Sequence, residues 1–135
     1  MITGITHLAY AVADLNRTVD FYCGKLGFEK LFSLENDKGQ VWLQYTKAAH
    51  GQYVEFFPAD RVEPQSGQSF CHMCLESDDL LNDVDLFRSR GIKINQEVKE
   101  GADGALQAWI EDPDGNPIEL MQLLPGSMQR QRDPK

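Results

Sequence analysis

The sequence predicts an α+β fold in which one βαβββ module is used twice and the strands of the pair form mixed sheet. Three observations carry that prediction. The chain repeats itself: residues 5–28, ITHLAYAVADLNRTVDFYCGKLGF, align with residues 70–92, FCHMCLESDDLLNDVDLFRSRGI, so that His7 matches His72, Asp14 matches Asp79, Leu15 matches Leu80 and Val19 matches Val84. The second copy then drops one residue near Gly91, and Glu55 in QYVEFF falls opposite Glu119 in NPIELM. Finally, 135 residues suffice for one domain with a real core and not for two independent ones, so the repeat is internal to a domain.

Each element follows from its spacing. Ile5, His7, Ala9 and Ala11 alternate with Thr6, Leu8, Tyr10 and Val12, which is strand periodicity. Asp14 is placed as an N-cap before LNRTVDFYCGKL, where Leu15, Val19, Tyr22 and Leu26 recur at helical spacing and Gly27 stops the helix. Strand-like runs follow at 28–34, 41–46 and 53–57, broken by NDKG at 36–39 and AAHG at 48–51. The second half repeats this order: a strand at 70–75, a helix over LLNDVDLFRSR capped by Asp78 or Asp79 and ended by Gly91, then strands at about 93–99, 105–111 and 117–123 with GADG and DPDGNP as turns. The expected organisation is a single domain over 1–124, with module one at 1–60, a Pro/Gly-rich linker at 61–68 and module two at 69–124. The tail at 125–135 has no apolar period and is expected to be flexible.

Composition excludes several classes. Thirteen basic against twenty-one acidic residues give a formal charge of −8, which opposes nucleic acid or an anionic membrane surface as partner. No run approaches the ~20 apolar residues of a membrane span, and MITGITHLAY lacks the basic and apolar regions of a signal peptide, so a cytoplasmic location is expected. Cys23, Cys71 and Cys74 are an odd number and form no disulfide framework. Cys71 and Cys74 have CxxC spacing without a second pair and are expected to be buried thiols.

Four residues stand out chemically. Alone, a strand histidine is usually hydrogen-bonded structure and a strand glutamate usually faces water. Here both types recur at matching places: His7 with His72, and Glu55 with Glu119. Glu55 lies between Val54 and Phe56, and Glu119 between Ile118 and Leu120; burying a bare carboxylate in such company costs several kcal/mol unless something compensates it. Two imidazoles and two carboxylates are a divalent-metal donor set. His50 has no repeat partner, sits in a Gly-flanked turn and is expected at the surface. Gln44, Tyr53, Phe57, Cys74, Gln107 and Trp109 lie on strands that reach the same region, without their faces being assignable.

The residues His7 with DLNRTVDFYCGKLGF after it, Glu55, His72, and DPDGNPIEL at 112–120 together resemble the vicinal oxygen chelate superfamily. That superfamily includes glyoxalase I, bleomycin-resistance proteins, fosfomycin-resistance enzymes, methylmalonyl-CoA epimerase and extradiol dioxygenases. The resemblance covers about residues 3–124 and implies paired βαβββ modules forming a cup-shaped sheet around one divalent ion. His7, Glu55, His72 and Glu119 would hold Ni²⁺, Co²⁺, Mn²⁺, Zn²⁺ or Fe²⁺, either within one chain or across a homodimer. Four protein ligands leave about two octahedral positions for a bidentate oxygen substrate.

The resemblance to glyoxalase I further implies a lyase that moves a proton beside a chelated carbonyl through an enediolate, with Glu119 as the base and Glu55 as ligand or second base. Ala11 and Ala59 stand where glyoxalase I has an arginine and an asparagine that hold glutathione. Loss of such a charged anchor is worth roughly 1.5–3 kcal/mol, which points to a smaller α-hydroxycarbonyl or thioester. An epimerase of a hydroxycarbonyl or acyl-CoA is the nearest alternative. A metal-free drug-binding protein of the bleomycin-resistance kind is the alternative outside enzymes, and an acidic chain suits a cationic drug.

Overall fold

Asp14 and Asp79 begin the helices of the two halves in the same way. The Asp14 carboxylate accepts from the Arg17 backbone N–H at 3.0 Å and that of Asp79 from the Asn82 N–H at 3.3 Å, each satisfying a donor that a helix start leaves free. The computed structural model describes residues 1–63 and 69–133. Residues 64–68 of the expected linker and 134–135 of the tail lie outside the described residues. The chain divides into two units, Met1–Glu63 and Pro64–Lys135.

The first unit runs β1 (His7–Val12), α1 (Leu15–Val19), a π-helical continuation (Asp20–Lys25), β2 (Glu29–Glu35), β3 (Val41–Ala49) and β4 (Gln52–Pro58). Its sheet has the order β1-β4-β3-β2, with β1 parallel to β4 and the other pairs antiparallel. The second unit runs β5 (Met73–Glu76), α2 (Leu80–Ser89), β6 (Ile94–Glu100), β7 (Leu106–Glu111), β8 (Pro117–Gln122) and α3 (Met128–Arg132). Its order, β5-β8-β7-β6 with β5 parallel to β8, is the same topology. The α+β class and the duplicated βαβββ module are thus present.

The π-helical turn accounts for the residue missing from the second copy. Gly27 follows Asp14 by thirteen positions, whereas Gly91 follows Asp79 by twelve. The extra residue of module one is absorbed by widening the helix, with the Leu26 N–H bonded to the Phe21 carbonyl at 3.0 Å, five residues back. Both glycines have positive φ, +90° and +80°, the left-handed conformation that ends each helix.

Each helix buries its apolar stripe on its own sheet. In the first unit Tyr22 and Phe56 are fully buried with ring centroids 4.7 Å apart, beside Val12 and Val54. In the second, Leu80, Val84 and Phe87 of α2 pack over Ile110, Ile118 and Leu120. Three expectations need correction. The strand predicted from Phe70 begins at Met73, so His72 precedes β5 rather than lying inside it. Cys71 and Cys74 are exposed rather than buried, because the chain is not yet in the sheet at the first and the second points away from the core. Residues 128–132, without an apolar period, form α3; Ser127 ahead of it is fully buried, and the Met128 N–H donates to the Asp103 carbonyl at 2.8 Å.

Candidate metal centre

In the first unit the parallel pairing of β1 with β4 sets Ala9 beside Glu55 and His7 beside Tyr53. Alternation along β4 sends Val54 and Phe56 into the core, 3% and 0% exposed, and turns Glu55 to the opposite face. His7 Nε2 lies 3.2 Å from Glu55 Oε1. In the second unit β5 beside β8 sets Cys74 against Glu119, Ile118 and Leu120 fill the core, and His72 Nε2 lies 3.1 Å from Glu119 Oε2. The structure therefore brings His7 to Glu55 and His72 to Glu119, each pair within its own module. Among the described residues, no group of three or more His, Cys, Asp or Glu side chains gathers as a set for an ion.

Glu119 is the more enclosed carboxylate, with a side chain 9% exposed against 14% for Glu55. Its neighbour Cys74 registers that charge. Although Cys74 is exposed as a residue, its thiol is partly withdrawn from water. That withdrawal, and then the adjacent Glu119 carboxylate, push its pKa up to about 12.

An aromatic residue flanks each pair, which the sequence reading did not single out in module one. Tyr45 lies directly opposite Glu55 in the β3–β4 register, and Trp109 directly opposite Glu119 in β7–β8. Tyr45 meets the His7 ring edge-on at 5.9 Å and its hydroxyl lies 3.3 Å from His7 Nδ1; Trp109 meets His72 edge-on at 4.8 Å. The offset that links Glu55 to Glu119 also links Tyr45 to Trp109, so the repeat held the signal.

The register assigns the other candidates. Tyr53 and Phe57 share the Glu55 face by alternation, and Cys74 and Gln107 share that of Glu119. Gln44 does not: it lies opposite Phe56 on the core side, where its amide donates to the Phe32 and Tyr45 carbonyls at 2.9 and 3.1 Å. His50 is in an exposed turn. Ala11 lies opposite Phe57 on the Glu55 face, and the Ala59 N–H bonds to the Val12 carbonyl at 2.9 Å.

The DPDGNP turn fixes the approach to Glu119. Asp112, 5% exposed, accepts from the backbone N–H groups of Asp114 and Asn116, both at 2.9 Å, and from the Asn116 side-chain amide at 2.8 Å. This closed network joins β7 to β8 and holds the register in which Trp109 faces Glu119.

The spacing within each pair is that of two adjacent ligands. Nitrogen and carboxylate ligands at about 2.0–2.2 Å on neighbouring octahedral positions lie about 3 Å apart, so neither pair would have to spread to hold a cation.

Comparison with known proteins follows the same lines. The family model for the Glyoxalase/Bleomycin resistance protein/Dioxygenase superfamily matches residues 4–120. The chain is 34% identical over 129 residues to the "Virulence protein STM3117" of Salmonella typhimurium, covering 92% of this chain and 87% of that one. It is 30% identical over 127 residues to a "Probable lactoylglutathione lyase" of Synechocystis sp., covering 87% and 94% respectively. Its fold matches the crystal structure of a glyoxalase family protein from Enterococcus faecalis with a TM-score of 0.75 at 23% identity, covering 87% of this chain and 96% of that one.

Proposed function

The chain belongs to the glyoxalase/bleomycin resistance protein/dioxygenase superfamily, and from that premise we propose that it is a divalent-metal-dependent lyase or isomerase of glyoxalase I type. The observation that carries the reading is the duplicated pair: one imidazole nitrogen and one carboxylate oxygen, 3.2 Å apart in the first module and 3.1 Å apart in the second, at repeat-equivalent positions. His7, Glu55, His72 and Glu119 would hold one Ni²⁺, Co²⁺, Mn²⁺, Zn²⁺ or Fe²⁺, with both pairs supplied by one chain or by two chains of a homodimer. When bound, the ion polarises the substrate carbonyl and lowers the cost of the charge that develops on its oxygen.

The protein groups then move the proton. Glu119 takes it from the carbon beside the carbonyl and returns it to the neighbouring carbon. Its low exposure and its place opposite Trp109 support that role. Glu55 serves as ligand, or as base on the opposite face.

The names of the relatives point to a glutathione thioester, whereas Ala11 and Ala59 remove the two anchors such a substrate would use. A smaller α-hydroxycarbonyl therefore leads as substrate, and that same observation favours an epimerase as the second reading. A cytoplasmic site of action is part of this reading; among the described residues, no helix is long and apolar enough to cross a membrane.

The test is exchange in D₂O over a panel of α-hydroxycarbonyls with metal-loaded protein. Deuterium entering beside the carbonyl supports proton transfer: an isomerised product marks the lyase and an inverted centre the epimerase. Metal-loaded protein that exchanges none of the panel contradicts both, and protein that takes up no metal leaves the metal-free binding protein.

A further inference from the structure

His7 is engaged at both ring nitrogens. Nε2 faces Glu55 Oε1 at 3.2 Å and Nδ1 faces the Tyr45 hydroxyl at 3.3 Å. In the second module His72 Nε2 faces Glu119, but the counterpart of Tyr45 is Trp109, whose ring offers an N–H donor and no acceptor. The modules agree in the first contact and differ in the second.

Tyr45 is fixed independently of His7. Phe32 stacks on it at 4.8 Å with planes 9° apart, and Tyr53 packs against it at 5.6 Å. Its hydroxyl is therefore held in place while the histidine changes role.

A phenol hydroxyl both donates and accepts. Without an ion, the Glu55 carboxylate accepts from Nε2–H, Nδ1 is the ring's acceptor, and the Tyr45 O–H donates to it. When Nε2 must offer its lone pair to a cation, the one ring proton resides on Nδ1 and donates to the Tyr45 oxygen. The same hydroxyl serves both tautomers without moving.

We propose that Tyr45 is a positioning residue that orients the His7 ring in either tautomer and, by accepting from Nδ1–H when Nε2 holds a cation, makes His7–Glu55 the tighter half of the metal centre. This deepens the metal-dependent reading above and rests on it.

Tyr45→Phe keeps the ring and its stacking on Phe32 and removes the oxygen alone. Zn²⁺ affinity is measured by chelator competition for wild type, Tyr45→Phe and Trp109→Phe, alongside ¹⁵N NMR of the His7 ring with and without Zn²⁺. Tyr45→Phe is expected to weaken Zn²⁺ binding about 10- to 100-fold, with Trp109→Phe well below that, and wild-type His7 to carry its proton on Nδ1 in the loaded protein. Equal Zn²⁺ affinity in wild type and Tyr45→Phe would overturn the role of Tyr45 and leave the metal reading standing. Wild-type protein that binds no Zn²⁺ would overturn both.

Discussion

Tyr45 and Trp109 occupy the same point of the two modules: each lies directly across the sheet from its glutamate, and each meets its histidine edge-on, at 72° and 73°. The second copy therefore repeats a three-residue arrangement of histidine, glutamate and aromatic ring. The aromatic packs against the histidine of each pair, and an apolar neighbour there would raise the cost of leaving the carboxylate uncompensated.

Glu119→Gln tests the proton-transfer role. The amide preserves shape and removes the base, so turnover should fall at least ~10²- to 10⁴-fold while circular dichroism and the melting temperature stay close to wild type. Full activity in this variant would remove Glu119 from the role of base.

Cys74 reports on the charge of Glu119. Its thiol is pushed from an ordinary value of 9.0 up to about 12, first by desolvation and then by Glu119, so the folded state keeps a proton that the unfolded chain releases. The stability this group contributes is complete below about 9 and declines as pH rises towards 12. In metal-free protein, Cys74 should resist alkylation at pH 8, and Glu119→Gln should speed the reaction. Rapid labelling of wild-type Cys74 at pH 8 would contradict this environment.

Ala11→Arg with Ala59→Asn restores the two missing anchors. Ala11 is exposed on the face that carries Glu55, so a long side chain has room there. Affinity for an S-substituted glutathione should rise about 10- to 100-fold, read by calorimetry. No gain would show that these alanines do not govern the choice of substrate.

Asp112→Ala removes the acceptor for three hydrogen bonds in a buried turn. Stability should drop by about 2–3 kcal/mol in urea titrations, because the freed N–H groups remain enclosed. Metal affinity should weaken too, since the turn holds Glu119 in register. An unchanged denaturation midpoint would show that the network is dispensable.

The topology was legible because the repeat supplied each element twice: Asp14 with Asp79, Gly27 with Gly91, and alternation around Glu55 with that around Glu119. In the structure, alternation along β4 sets Glu55 on the face opposite Val54 and Phe56. Three features were not legible, each for a physical reason. The π-helical turn depends on how one extra residue is absorbed, which side-chain periodicity does not encode. The inward side of Gln44 depends on amide bonds to two carbonyls that satisfy it in the core, against the usual preference of glutamine. The exposure of Cys71 depends on where β5 begins, and strand ends are weakly marked in sequence.

Metal content per chain is the most direct test of the proposal that His7, Glu55, His72 and Glu119 hold a divalent ion. Elemental analysis of untagged protein, before and after chelation, is set beside a His7→Ala/His72→Ala control. About one divalent ion per chain is expected in wild type and none in the control. Wild-type protein that takes up no metal even after reconstitution would contradict the proposal.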